Sequence, residues 1–189
     1  MADNHREAED EWILRADQLR ALVSAVRTDI VDHLAGRGEM SIKELAEAIG
    51  KQPSALYHHL EQLLDVGLVV ESGARVVNRK KEKLYRTPSR RMRLRKALES
   101  GEHADLMGQI VASLSRQADR DFSRGQAIPT ARADGEHRNL GFFRLVAKPD
   151  AGRLEEINRH LEAIAELMWE ENDAEAESMV LTWIMAPGN

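Results

Sequence analysis

Residues 52–62 hold six side chains suited to the edges of base pairs: Gln52, Ser54, Ala55, Tyr57, His58 and Gln62. Gln can donate and accept together at adenine, Ser and His can serve several base edges or phosphates, and Ala can meet a thymine methyl. Further along come Arg75, Arg79, Lys80, Lys81 and Lys83, cations suited to neutralising backbone phosphates. The first set would supply selectivity and the second affinity without selectivity. Neither can act unless a rigid frame presents it.

The apolar spacing supplies that frame. Pro53 can open a helix at no hydrogen-bond cost, and Leu56, Leu60, Leu63 and Leu64 give this helix, about 53–66, an inner face. The polar set falls on its opposite face and its N-terminal end, where a helix also attracts phosphate. Upstream, Ser41 and Glu44 have capping-box spacing, and Ile42, Leu45, Ala46 and Ile49 follow the i, i+3, i+4, i+7 pattern of a second helix. Gly50 ends that helix with a positive φ, leaving a short turn, Gly50 to Gln52. Still earlier, Leu19, Leu22, Val23, Val26 and Ile30 predict one helix from Trp12 to Leu34, stopped by Gly36 and Gly38. The polar, acidic stretch from Met1 to Glu11 reads as a frayed tail.

After Gly67, the Val69-Val70 and Leu84-Tyr85 pairs predict a basic hairpin, a wing over about 68–87, with its tip between Gly73 and Lys83. Pro88 closes the unit. A major groove is about 12 Å wide and admits one helix. A helix, a turn, a polar-faced helix and a basic hairpin make a winged helix-turn-helix suited to that groove.

The net charge of −5 would argue against a nucleic-acid partner if it were evenly spread. From Arg75 to Lys96, however, eleven basic residues face a single acid, Glu82, for a net +10. From Asp150 onward ten acids face only Arg153 and Arg159, for a net −8. One region attracts a polyanion, and the other would repel it and fix the side of approach.

A long helix is expected from about Arg91 to Phe122, with Leu94, Leu98, Leu106, Ile110, Leu114 and Ala118 as its seam, although Gly101 and Gly108 weaken it. Ser123 to Asn139 reads as a loop and Phe142 to Ala147 as a strand. Asp150 could cap a helix whose Leu154, Ile157, Leu161, Ile164 and Met168 repeat every three and four residues, a narrow seam suited to another helix. Asn172 to Ser178 reads as a connector and Met179 to Ala186 as a final strand. Phe142, Phe143, Trp169 and Trp183 gather the aromatics in the last third, which could build a core or a pocket for a small-molecule effector.

Other chemistries find little support. There is no cysteine, hence no disulfide and no thiolate site. His58 and His59 are adjacent, so on a helix they point about 100° apart and do not converge on a metal. His103 with Asp105, and His160, are weaker ligand candidates. No Gly-rich phosphate loop, nucleophile elbow or metal-protease helix is present, so no catalytic residue, metal or cofactor is expected. The start of the chain is not a signal peptide, and no apolar run reaches the ~18 residues of a membrane span. A soluble, cytoplasmic protein is expected.

Val23 to Arg86 resembles the ArsR-like winged helix-turn-helix regulators. The likeness rests on Ile42-Lys43-Glu44-Leu45-Ala46, Ser54-Ala55-Leu56-Tyr57-His58-His59-Leu60, Leu64-Asp65-Val66-Gly67-Leu68-Val69 and Lys83-Leu84-Tyr85-Arg86. It covers about a third of the chain. The resemblance implies a homodimeric transcription regulator that reads double-stranded DNA with Ser54, Ala55, Tyr57 and His58 and touches it with Arg79, Lys80 and Lys81 of the wing. Founding members sense metals through cysteines, which this chain lacks. Larger cysteine-free members add a helical C-terminal region, and this chain looks like those.

The expected architecture is therefore α+β, mainly α with small β. A winged helix-turn-helix domain would occupy 12–90, and a helical dimerisation region with two short strands 91–189. The alternative is a winged-helix protein-interaction module without sequence-specific DNA binding.

Overall fold

The computed structural model of the chain describes residues 10–12, 15–89, 91–94, 97–98, 101–169 and 176–188. Its elements are β1 (Asp10–Trp12), α1 (Ala16–Leu22), α2 (Ala25–Arg37), β2 (Met40–Ser41), α3 (Ile42–Ile49), α4 (Pro53–Asp65), β3 (Val70–Val77), β4 (Lys80–Arg86), β5 (Arg91–Arg93), α5 (Ala104–Gln126) and α6 (Ala151–Trp169). The class is α+β. Two compact units are formed, Met1–Ser113 and Leu114–Asn189.

In the first unit, α1 to α4 and a small antiparallel sheet of order β2-β4-β3 enclose one core. Leu19, Ile30, Leu34, Leu45, Leu56, Leu63, Leu68 and Val69 are completely buried there. Each such side chain contributes about 1.5–3 kcal/mol by leaving water. Met107 and Ile110 of α5 join the same core, with Leu94 and Leu106 packed against it.

The helix-turn-helix is fixed by its caps. Ser41 N donates to Glu44 Oε2 at 2.7 Å while Glu44 N donates to Ser41 Oγ at 3.4 Å, completing the predicted capping box of α3. Gly50 ends α3 in the left-handed region (φ 71°, ψ 39°), where a Cβ would be strained, and Lys51 N closes the turn on Ala46 O at 2.8 Å. Pro53 then starts α4 as its first residue. At the other end of α4, Leu68 N and Val69 N both return to Leu63 O. Two side chains of the α1 region, Arg15 Nη2 at 2.7 Å and Gln18 Nε2 at 3.3 Å, donate to Val66 O.

The expected single helix from Trp12 to Leu34 is two. α1 stops at Leu22, Ser24 is extended (φ −81°, ψ 118°), and α2 starts at Ala25. Polar groups make this break: Thr28 Oγ1 donates to Leu22 O at 2.9 Å and Arg27 Nε to Ala21 O at 2.5 Å. An apolar stripe runs on across such a joint, because both helices bury the same side. Gly36 lies inside α2, and Gly38 alone caps it. Asp10 to Trp12 are neither tail nor helix but β1, paired in parallel with β5. The rest of the expected tail, residues 1–9, lies outside the described residues.

That pairing also corrects the start of the long helix. Arg91–Arg93 is extended beside β1, and Gly101 adopts φ 64°, so α5 begins only at Ala104 and runs on to Gln126. A partner strand overrides the helical preference of this stretch. Leu98, expected in the seam, is 60% exposed, whereas Ala97 beside it is buried.

In the second unit, Asp150 Oδ1 accepts from Arg153 N at 2.9 Å and caps α6 as expected. No described residue of α6 is buried. The two short strands expected at Phe142–Ala147 and Met179–Ala186 are not formed. A strand requires a partner ladder, and among the described residues neither segment has one. Their side chains stand in solvent: Phe142 is 82% exposed, Leu145 87% and Val180 63%. Phe142 meets Phe122 edge-on at 5.7 Å, and Arg138 lies over Phe143 at 5.4 Å, but Phe142, Phe143 and Trp183 do not build the core that their clustering suggested. The connector from Asn172 to Ser178 falls mostly outside the described residues.

Candidate nucleic-acid interface

α4 carries two faces. Leu56, Leu60 and Leu63 are buried, while Ser54, Ala55, Tyr57 and His58 are exposed, Tyr57 to 59%. Gln52 is exposed just before the helix, its carbonyl accepting from Ala55 N at 3.0 Å. The first two turns of α4 therefore present small and polar groups at a helix N-terminus, where the backbone itself favours negative charge. Farther along, Glu61 and Asp65 are also exposed. Their carboxylates would oppose a phosphate, so the usable surface is the N-terminal half.

The two histidines separate as adjacent helical residues must. His58 is exposed and His59 half-buried, with ring centroids 6.2 Å apart. Burial pushes the His59 imidazole below its ordinary value, and the nearby cations Arg27 and Lys51 push it the same way. No group of three or more potential metal ligands converges among the described residues.

β3 and β4 form a hairpin in which Val77 pairs with Lys80, leaving a two-residue tip of Asn78 and Arg79. Both tip residues have positive φ, 49° and 64°, as a type I′ turn requires. Directly paired residues share a face, so Arg75 lies with Glu82 and Lys81 with Val76. A register shift between Glu71 and Gly73 leaves Ser72 as an extra residue and bends the ribbon near its base.

The cations of the wing fall into two groups. Arg75 is engaged internally: Nη2 lies 2.7 Å from Glu44 Oε1, 3.6 Å from Glu82 Oε2 and 3.5 Å from Ser41 Oγ. Lys83 Nζ is 2.6 Å from Glu71 Oε1, and Lys43 pairs with Glu82. Arg79, Lys80 and Lys81, by contrast, are exposed and make no ion pair among the described residues. Partial burial pushes the Glu44 carboxyl up, but the Ser41 N–H, Arg75 and the Ser41 hydroxyl outweigh it and hold the group below its ordinary value. Arg75 thus clamps the wing to α3, while the tip keeps its charge available.

Burial raises the Tyr85 phenol; Lys83 lowers it, and Glu71 and Tyr57 add to the rise.

Residues 22–72 match the model of a helix-turn-helix domain. The match runs from the end of α1 to the start of β3 and so spans the turn and all of α4. No curated protein matches the chain significantly. Among solved structures, a double mutant of Lactococcus lactis ZitR in apo form aligns at 13% identity, over 79% of this chain and 86% of that one, with a TM-score of 0.29. A second structure of the mutant aligns at 15% identity over 87% and 88%, also with a TM-score of 0.29. Superposition of that quality says nothing about function. No described helix is long and apolar enough to cross a membrane.

Of the residues picked out by sequence, Gln52, Ser54, Ala55, Tyr57 and His58 fall on one end of the helix-turn-helix, and Arg79, Lys80 and Lys81 at the hairpin tip. Gln62 is half-buried and engaged with Arg27 and His58. Sequence reasoning missed Arg27. Its only signal was a cation three residues past Ser24, on the first turn of α2.

Proposed function

We propose that the chain is a DNA-binding transcription regulator of the ArsR-like winged-helix type. It acts as a homodimer, with the N-terminal half of α4 in the major groove and the hairpin tip on the backbone. The observation that carries this reading is an exposed cationic tip, Arg79, Lys80 and Lys81, that makes no ion pair among the described residues, in the same unit as an exposed polar helix end within a helix-turn-helix. Cations committed to internal pairs would not favour a polyanion over water; these are uncommitted. The homodimer is supported by α6, whose Leu154, Ile157 and Ile164 are 41%, 37% and 40% exposed and follow a seam spacing. A dimer doubles the contacts and measures half-site spacing.

The test compares the DNA upstream of the protein's own gene with random duplex. Ser54→Ala with His58→Ala should lower specific affinity by about 1–3 kcal/mol per lost base contact and leave random binding nearly unchanged. Equal loss on both DNAs would mean that these residues do not read bases. Leu60→Ala, at a 2% exposed position, should instead cost about 2–5 kcal/mol of folding stability.

A further inference from the structure

Gln62 does not stand free in the way a base-reading amide would. Arg27 Nη1 donates to Gln62 Oε1, and Gln62 Nε2 lies 3.2 Å from His58 Nε2. Arg27 is itself anchored on the end of α1, through Nε to Ala21 O at 2.5 Å and Nη2 to Arg20 O at 3.4 Å. A guanidinium carries donors and no acceptor. The oxygen of the Gln62 amide must therefore face Arg27, which leaves the amide NH2 facing His58.

The rest follows from the inventory of the imidazole. A nitrogen that meets an NH2 donor must accept, so Nε2 of His58 holds a lone pair. The ring is then neutral and its single proton sits on Nδ1. We propose that Arg27, acting through Gln62, locks exposed His58 in the Nδ1–H tautomer, so that it meets DNA as an obligate donor. Its target is a hydrogen-bond acceptor: purine N7, guanine O6 or thymine O4 on a base edge, or a phosphate oxygen. It rejects the amino groups of adenine and cytosine, which are donors. Gln62 and Arg27 are positioning residues here and His58 the contacting one. The inference rests on the DNA-binding reading for its target but not for the tautomer.

The two parts are tested separately on the full chain. Nitrogen NMR of the His58 ring in the free protein should give a protonated signal at Nδ1 and an unprotonated one at Nε2. Gln62→Glu, which replaces the amide donor by an acceptor, should move the proton to Nε2. A wild-type ring protonated at Nε2, or one unaffected by the substitution, would overturn the lock. For binding, Gln62→Leu should weaken specific DNA affinity about tenfold, the worth of one good hydrogen bond, and cost nothing further once His58→Ala is present. Equal loss in both backgrounds would overturn the relay, since Gln62 would then act on its own. Arg27→Lys, which cannot hold both ends of the bridge, provides a second variant should Gln62→Leu prove unstable. Duplexes with 7-deazapurines and with single methylphosphonates separate a purine-N7 target from a phosphate. Loss of the His58 effect on a 7-deaza duplex assigns purine N7, loss on a methylphosphonate duplex assigns the backbone, and loss on neither removes these two and leaves the carbonyl acceptors guanine O6 and thymine O4. If the wild type binds no DNA while Nδ1 is protonated, the regulator reading fails and the lock stands.

Discussion

Arg79 is the residue where conformation and function pull apart. It holds φ 64° at the tip of the wing, a region that costs an L-residue roughly 1–2 kcal/mol. Glycine would take that position without strain and would lose roughly 0.5–1 kcal/mol of its own in chain entropy. Arg79→Gly should therefore leave stability unchanged or raise it by up to about 1 kcal/mol in a thermal or urea melt, while weakening DNA binding. A protein that loses both together would show that Arg79 holds the hairpin rather than the ligand. Arg75 offers the contrast. It bears the same charge, but its guanidinium is bound to Glu44 at 2.7 Å, so its removal should loosen the wing from α3.

At the scale of elements, what sequence could foresee was what local rules govern. The capping box at Ser41 and Glu44, the left-handed Gly50, Pro53 at the head of α4 and the buried Leu56, Leu60 and Leu63 all rest on contacts within a few residues along the chain. They placed α3 and α4 correctly, and with them the exposed Ser54, Ala55, Tyr57 and His58. Ser41→Ala should cost about 1 kcal/mol, within a usual span of 0.5–2, measured by chemical denaturation. No loss would mean that the Glu44 carboxylate alone secures the helix start.

The misses required distant partners. The break at Ser24 depends on Arg27 and Thr28 reaching back to α1, and the strand at Arg91–Arg93 on Asp10–Trp12. Phe142–Ala147 and Met179–Ala186 went the other way: apolar runs of strand-forming residues have no partner strand among the described residues. The contact between Gln62 and Arg27 was hidden for the same reason. The Gln62 amide is oriented by Arg27, thirty-five positions away in sequence.

For the whole molecule, the uneven charge gives the proposed dimer and its DNA complex opposite responses to salt. Residues 150–189 carry a net −8, so two copies meeting through α6 repel each other, and salt screens that repulsion. Phosphate contacts weaken as salt rises, because bound counterions are no longer released into a dilute solution. Sedimentation should therefore find tighter self-association at higher salt, and Ile157→Glu should abolish it while the first unit stays folded. Self-association that weakens with salt, or survives Ile157→Glu, would place the dimer surface elsewhere.

The central claim is that the hairpin tip neutralises DNA phosphates beside α4. The most direct measurement is the slope of log affinity against log salt for the full chain on its upstream DNA, with and without Arg79, Lys80 and Lys81 changed together to Ala. Each lost phosphate contact should flatten the slope by about 0.9, so the triple variant should bind more weakly and with a slope lower by roughly 2–3 per protomer. An unchanged slope would contradict the account, whatever the affinity.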